Sequence, residues 1–186
     1  ALQFQITEDF TLGSFQGSIV SVKYHSSDRS AWRAGLSLDF ESTSEELASS
    51  DDGVPVSTIA YDRSGQAARL DLQYLRHVRG GTPLRFIFGG GPFAGFTNRT
   101  VESSRDDAAG IREESDEWSA GVSALVGAEW FVGAGFSLHA EYGFEFSHSR
   151  QEMKAENSLS NLRRDRDAES TGFVSRGVLF GVSAYF

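Results

Sequence analysis

Between Trp118 and Phe131 the chain alternates. Trp118, Ala120, Val122, Ala124, Val126, Ala128 and Trp130 are apolar, with a tryptophan at each end. Ser119, Gly121, Ser123, Gly127 and Glu129 lie between them, and only Leu125 and Phe131 break the small or polar phase. A period of two means strand, because successive side chains of an extended backbone point to opposite faces. The pattern recurs in Trp32–Phe40, Ala68–Tyr74, Phe136–Phe146 and Val178–Phe186. Leu84–Phe96 alternates more loosely, with Leu84, Phe86 and Phe88 on one face. In Ser14–Tyr24 the phase slips at Ile19-Val20, which predicts a β-bulge. Leu2, Phe4 and Ile6 predict a short first strand.

The connections alternate in length. His25–Ala31, Arg79–Pro83 and Val132–Gly135 are short, whereas 43–65, 98–117 and 149–170 are long and charged. Short turns at one end and long loops at the other predict an up-and-down antiparallel meander. Seven strands are evident and the N-terminal segment supplies an eighth, in a single domain covering 1–186. Glu129 and His139 flank the Val132–Gly135 turn on one face, so the turn must hold an odd number of residues. Five residues set Glu129 opposite His139, and three set it opposite Ser137. Either way Glu129 is expected in an interior network with His139 or an arginine.

Composition narrows the class. The chain has 186 residues, 20 Gly, 15 Phe, 3 Pro and no Cys, with a formal net charge of −9. The acidic balance leaves no basic stripe for nucleic acid. Without cysteine there is no disulfide frame, zinc-thiolate site or thiol nucleophile. No run of about eighteen apolar residues could form a membrane-spanning helix. A mean hydropathy of −0.30 describes a soluble protein or a membrane barrel, whose strands are only half apolar and whose loops are polar. The start at Ala1-Leu2-Gln3, without a basic and apolar leader, reads as a mature exported chain after signal cleavage.

A soluble, lipocalin-like barrel would turn the apolar face inward, whereas a membrane barrel turns it outward. Three features favour the membrane barrel. Aromatic residues stand at both ends of the apolar face: Tyr24, Trp32, Tyr74, Phe86, Trp130, Phe136 and Phe186 near the short turns, and Phe40, Phe96, Trp118 and Phe146 near the long loops. Such girdles mark two membrane–water interfaces. The opposite face is rich in Gly, Ala and Ser, as the narrow interior of eight strands requires. Its charges come in both signs: Lys23, Arg33, Arg69 and Arg85 against Asp39, Glu41, Asp71, Glu129, Glu141 and Glu145, with His139. An enclosed interior must pair its charges.

This girdled alternation, the turn–loop asymmetry and the ending "VLFGVSAYF" resemble the small outer-membrane barrels of the OmpA/OmpX type, over most of the chain. The resemblance implies an all-β, eight-stranded antiparallel transmembrane β-barrel of a Gram-negative outer membrane, with short periplasmic turns and long extracellular loops. It also implies that Phe180, Val182, Ala184 and Phe186 form the terminal signal read by the barrel assembly machinery. The expected role is structural or recognitive, with a charged network plugging the interior and the loops 43–65, 98–117 and 149–170 meeting lipopolysaccharide or a surface protein.

No catalytic, cofactor or metal constellation emerges. "GGGPFA" (Gly89–Ala94) fits a degenerate dinucleotide pattern, but Pro92 and a strand follow where a helix is required. Glu141 and Glu145, about 13 Å apart on one strand, are too distant for a glycosidase pair. His148 in "FSHSR" points outward at the loop end, as in the lipid A deacylases. Those enzymes carry a serine two residues later, where this chain has Arg150. "NRT" (Asn98–Thr100) fits a glycosylation sequon that also arises by chance. The four histidines are scattered. A lipid-modifying enzyme is therefore the second reading and a small passive pore the third.

Overall fold

The computed structural model describes residues 1–6, 18–51, 54–81, 83–105, 108–157 and 162–186. Its strands are β1 (Leu2–Ile6), β2 (Ser18–Ser27), β3 (Ser30–Asp51), β4 (Val54–Gly81), β5 (Leu84–Arg105), β6 (Ala108–Phe131), β7 (Phe136–Asn157) and β8 (Leu162–Ala184). They form one closed barrel in sequence order, every neighbouring pair antiparallel, with β1 sealing against β8 through Leu2↔Ala184 to Ile6↔Phe180. Closure pairs every strand of the lower barrel on both sides, which a wall in hydrocarbon requires.

The alternation in sequence becomes an alternation in exposure. Along β7, Ser137, His139, Glu141 and Gly143 are buried while Phe136, Leu138, Tyr142 and Phe146 are exposed or half-exposed. Val22, Leu70, Val122 and Val126 stand outward, each more than half exposed, whereas Lys23, Arg33, Glu129 and Glu141 are buried. The polar face is the inside. Ala31, Leu75, Ile87 and Leu125 form a small apolar cluster within it.

Turn geometry fixes the register. Phe131 pairs with Ser137 and Glu129 with His139, so residues 132–136 make a five-residue connection. Asp28 and Arg29 alone turn β2 into β3.

Two expectations change. The described residues of the segments 43–65, 98–117 and 149–170, read as loops, continue the strands in antiparallel pairing, for example Thr43↔Arg63, Thr100↔Glu114 and Glu152↔Asp167. Both faces of these extensions are polar, so no alternation announces them. Backbone pairing and cross-strand ion pairs hold them instead. We call this part of β3–β8 the crown. No register shift occurs at Ile19-Val20, where Ile19 pairs with Gln5 and Val20 with Phe4. The apparent slip arises because Ile19 is an apolar residue inside, over Gly35; residues 14–17 of that reading lie outside the described residues. A mid-strand bulge lies instead in β8. Gly143 pairs with Gly177 and Phe144 with Ser175, leaving Arg176 as the extra residue. Gly177 adopts φ 71°, a conformation that glycine enters without steric cost.

Gly89–Gly91 sit mid-strand in β5, with no helix following. A Cβ on Gly89 would lie 2.2 Å from the Tyr74 carbonyl oxygen. The triplet lets two strands approach closely, and the dinucleotide reading falls.

Candidate functional site

Inward side chains stack in three tiers along the barrel. In the tier nearest the short turns, Lys23 Nζ donates to Glu129 Oε1 at 2.8 Å, both side chains being fully buried. Ser137 Oγ donates to the same oxygen at 2.6 Å, and the Tyr185 hydroxyl also donates to it. His77 Nε2 lies 3.7 Å from Glu129 Oε2. The His25 and His77 rings stack at 5.3 Å, and Arg85 lies over the Phe131 ring at 4.6 Å.

In the middle tier Arg33 grips Glu141 with two bonds of 2.7 and 2.8 Å. Its Nε and Nη2 also donate to Gln73 Oε1 at 2.9 and 2.7 Å. Gln73 Nε2 continues to Ser123 Oγ at 3.0 Å, and Gln5 Nε2 reaches Glu141 Oε2 at 3.2 Å. Planar, bidentate pairing is the strong form of a carboxylate–guanidinium contact.

The third tier holds four charges. Arg69 bridges Asp71 at 2.9 Å and Glu145 at 2.6 Å. Arg176, turned inward by the bulge, meets Glu145 at 2.9 Å and Asp71 at 3.8 Å. Arg69 also lies 3.7 Å over the Phe93 ring.

Each cation of these ion pairs meets a buried or half-buried carboxylate: Lys23 against Glu129, Arg33 against Glu141, and Arg69 with Arg176 against Asp71 with Glu145. Arg85, half-buried at the short-turn end, lies over Phe131 with no ion pair among the described residues. A buried charge without its partner costs several kcal/mol, so pairing of the buried charges is what an interior sealed from water demands. The cavity among Gln5, Arg33, Asp71, Gln73, Arg176 and Leu179 holds about 20 Å³, room for about one water.

The expected interior residues divide as follows. Lys23, Arg33, Arg69, Asp71, Glu129, Glu141 and Glu145 join the tiers. Glu41 faces Arg99 at 3.7 Å nearer the crown, and Asp39 points inward without an ion pair among the described residues. His139 is opposite Glu129 in register, yet its Nδ1 lies beside Ser183 Oγ at 3.5 Å. The cation on Glu129 is Lys23 from across the barrel, not His139 or an arginine. The sequence pattern does not single out Tyr185, Gln5, Gln73, His77 or Arg176. Strict alternation puts Arg176 outside; its one signal is "SRG", an arginine before a glycine able to carry a bulge.

On the outer wall, Tyr24, Trp32, Phe40, Tyr74, Phe86, Trp118, Trp130, Phe136, Phe146 and Phe186 are exposed, and Phe96 is half-covered beside Trp118 at 5.3 Å. Trp32 and Tyr74 pair at 5.1 Å. Phe180 and Val182 also face outward, on the strand that closes the barrel. Above this belt the outer face of the crown carries charges of both signs in cross-strand rows, as in Glu102↔Arg112↔Glu156↔Arg163. His148 faces outward, its Nδ1 2.9 Å from Thr171 Oγ1.

No protein-family model matches the chain, and no curated protein matches it in sequence. Solved structures do share its fold. A major outer membrane protein from Thermus thermophilus superposes with a TM-score of 0.63 at 13% identity, over 99% of this chain and 97% of that one. The ferric yersiniabactin uptake receptor FyuA from Yersinia pestis gives 0.51 at 11% identity over 85% of this chain. The chain spans only 24% of the length of that receptor. The fold is that of outer-membrane β-barrels.

Proposed function

We infer that the chain is an outer-membrane β-barrel whose role is structural or recognitive. Its short turns face the periplasm and its crown faces outward from the cell. One observation carries this reading: an apolar, aromatic-bordered wall surrounds an interior whose buried charges are paired. Such a wall is stable only against acyl chains, since exposed apolar area of that extent in water drives association. The packed tiers act as a plug rather than a channel, and the crown is the part available for recognition. Lipopolysaccharide is the natural neighbour of its mixed-charge outer rows, with carboxylates joined to phosphates through divalent cations. The terminal Phe180, Val182, Ala184 and Phe186 serve as the assembly signal on the same reading.

Fractionation and gel migration test the proposal. The folded chain should be extracted only with detergent and should migrate differently before and after boiling. Solubility without detergent would overturn it.

The hydrogen bond between His148 and Thr171 favours a lipid-modifying activity as the second reading, because it sets a base beside a hydroxyl at the upper edge of the apolar wall. Release of acyl chains from lipopolysaccharide, abolished by His148→Ala, would establish it. No release by the parent chain would dismiss it.

A further inference from the structure

Below the upper aromatic belt, the strands turn one formally charged side chain outward among the described residues. It is Arg76 on β4, exposed and two residues nearer the short turns than Tyr74. The outward arginines of the crown have partners: Arg112 meets Glu114 at 2.7 Å, Arg150 meets Glu152 at 3.3 Å and Arg163 meets Asp165 at 3.2 Å. Arg76 has no ion pair among the described residues. An arginine at the border of hydrocarbon turns its head to the interface and draws a counter-charge there.

Hydroxyls and rings surround it. Ser30 faces Arg76 in register. Ser30 Oγ lies 2.9 Å from Ser26 Oγ and 2.6 Å from Ser27 Oγ, and all three residues are exposed or half-exposed. The Arg29 carbonyl accepts from the His77 backbone N–H at 2.8 Å, which holds the β2–β3 turn against the strand of Arg76. One outward position higher, Trp32 pairs with Tyr74, their rings 5.1 Å apart, and Tyr24 pairs with Trp32. Asp28 and Arg29 in the turn cancel in formal charge, so the patch keeps the single positive charge of Arg76.

A guanidinium presents five donors in a planar fork that matches phosphate oxygens, and a serine hydroxyl adds another. Indole and phenol rings settle at headgroup depth beside the acyl chains. Together they suit a ligand with one anionic phosphodiester and an apolar tail.

We propose that the wall around Arg76 binds an anionic glycerophospholipid. Its phosphate sits on the Arg76 guanidinium and the serine hydroxyls, and its acyl chains run along Trp32 and Tyr74. The inference rests on the membrane-barrel reading, in which this end of the wall meets the periplasmic leaflet. The crown does not offer the same contact, because carboxylates already hold its outward arginines. Nor does overall charge favour it: a chain of net charge −9 repels anionic lipid at long range, so a preference here must be local.

Trp32 stands at the site and can report on it. The chain has three tryptophans, so Trp118→Phe with Trp130→Phe leaves Trp32 alone, and Trp32→Phe with Trp130→Phe leaves Trp118 alone. Each chain is folded into phosphatidylcholine vesicles containing a lipid with brominated acyl chains, which quench indole on contact. Heat-modifiable migration confirms that each has folded. Brominated phosphatidylglycerol should quench Trp32 more strongly than brominated phosphatidylcholine at equal mole fraction. The preference expected is about fivefold, the effect of one basic residue at an anionic surface. Adding Arg76→Gln should remove it, and Trp118 should show none. Equal quenching of Trp32 by both lipids, a preference that survives Arg76→Gln, or the same preference at Trp118 would each overturn the site while leaving the barrel in place. A chain that neither shifts on heating nor is quenched by either lipid would overturn the membrane reading and this inference with it.

Discussion

Replacing Glu141 by leucine removes the carboxylate of the middle tier and leaves Arg33 in place. Both side chains are nearly inaccessible, at 5% for Arg33 and 0% for Glu141. The change deletes two charge-assisted bonds of 2.7 and 2.8 Å, together with the 3.2 Å bond from Gln5. Bonds to charged groups contribute about 1.5–3 kcal/mol each, and stranding one member of a buried ion pair costs about 3–5 kcal/mol. Gln73 still accepts from Arg33, which keeps the loss near that range rather than above it. Replacing both partners, Arg33→Met with Glu141→Leu, removes the stranded charge and should fall within about 2 kcal/mol of the parent. The cycle should therefore show a coupling of several kcal/mol. The exposed pair Arg150–Glu152, 3.3 Å apart and about half accessible on each side, is the internal reference. Glu152→Leu should cost at most about 1 kcal/mol. Reversible urea unfolding in lipid vesicles supplies the free energies, read by the fluorescence of Trp32, Trp118 and Trp130, all on the outer wall. If Glu141→Leu costs no more than Glu152→Leu, the tier is bathed in water and the reasoning from sealed charge is refuted.

Val122→Arg places a cation on the outer wall, where Val122 is 55% exposed. It should cost about 2–4 kcal/mol in vesicles if that position lies at the bilayer midplane, and a neutral result in the same urea titration contradicts a lipid-facing wall. Gly177→Ala forces a Cβ into the φ 71° conformation. It should lower stability by roughly 1–2 kcal/mol, measured as a shift of the urea midpoint; an unchanged midpoint means the bulge does not constrain Arg176. In planar bilayers the parent chain should show no conductance of the size of a general porin, because three packed tiers cross its bore; openings of that size would show that the tiers part.

The legible portion of the fold is the portion in contact with two different solvents. Where one face meets an apolar phase and the other a polar interior, residues such as Val122, Ser123, Ala124 and Leu125 record the pleat one by one. Above the belt that contrast disappears. Glu113, Glu114, Ser115 and Asp116 give no sign of which face they occupy, and paired strands read as loops. The inward positions of Lys23, Arg33, Glu129 and Glu141 follow from period two alone. Their partners do not, because parity assigns a face but not the height or direction of a long side chain. Lys23 therefore reaches Glu129 while the histidine facing it in register turns to Ser183. Arg176 escapes for a different reason: one extra residue reverses parity, and only the positive φ of Gly177 marks the place.

The seam between β1 and β8 joins residues some 180 positions apart in the chain, Gln3 lying beside Ser183. Every other junction can zip locally as hairpins form, but this one waits for Phe180–Ala184 to arrive. Until then the molecule is an open ribbon, greasy on one surface and raw along two margins. Its first strand is thus kept waiting for its last, and a chain that loses Phe180–Ala184 forfeits the tube rather than a fraction of it.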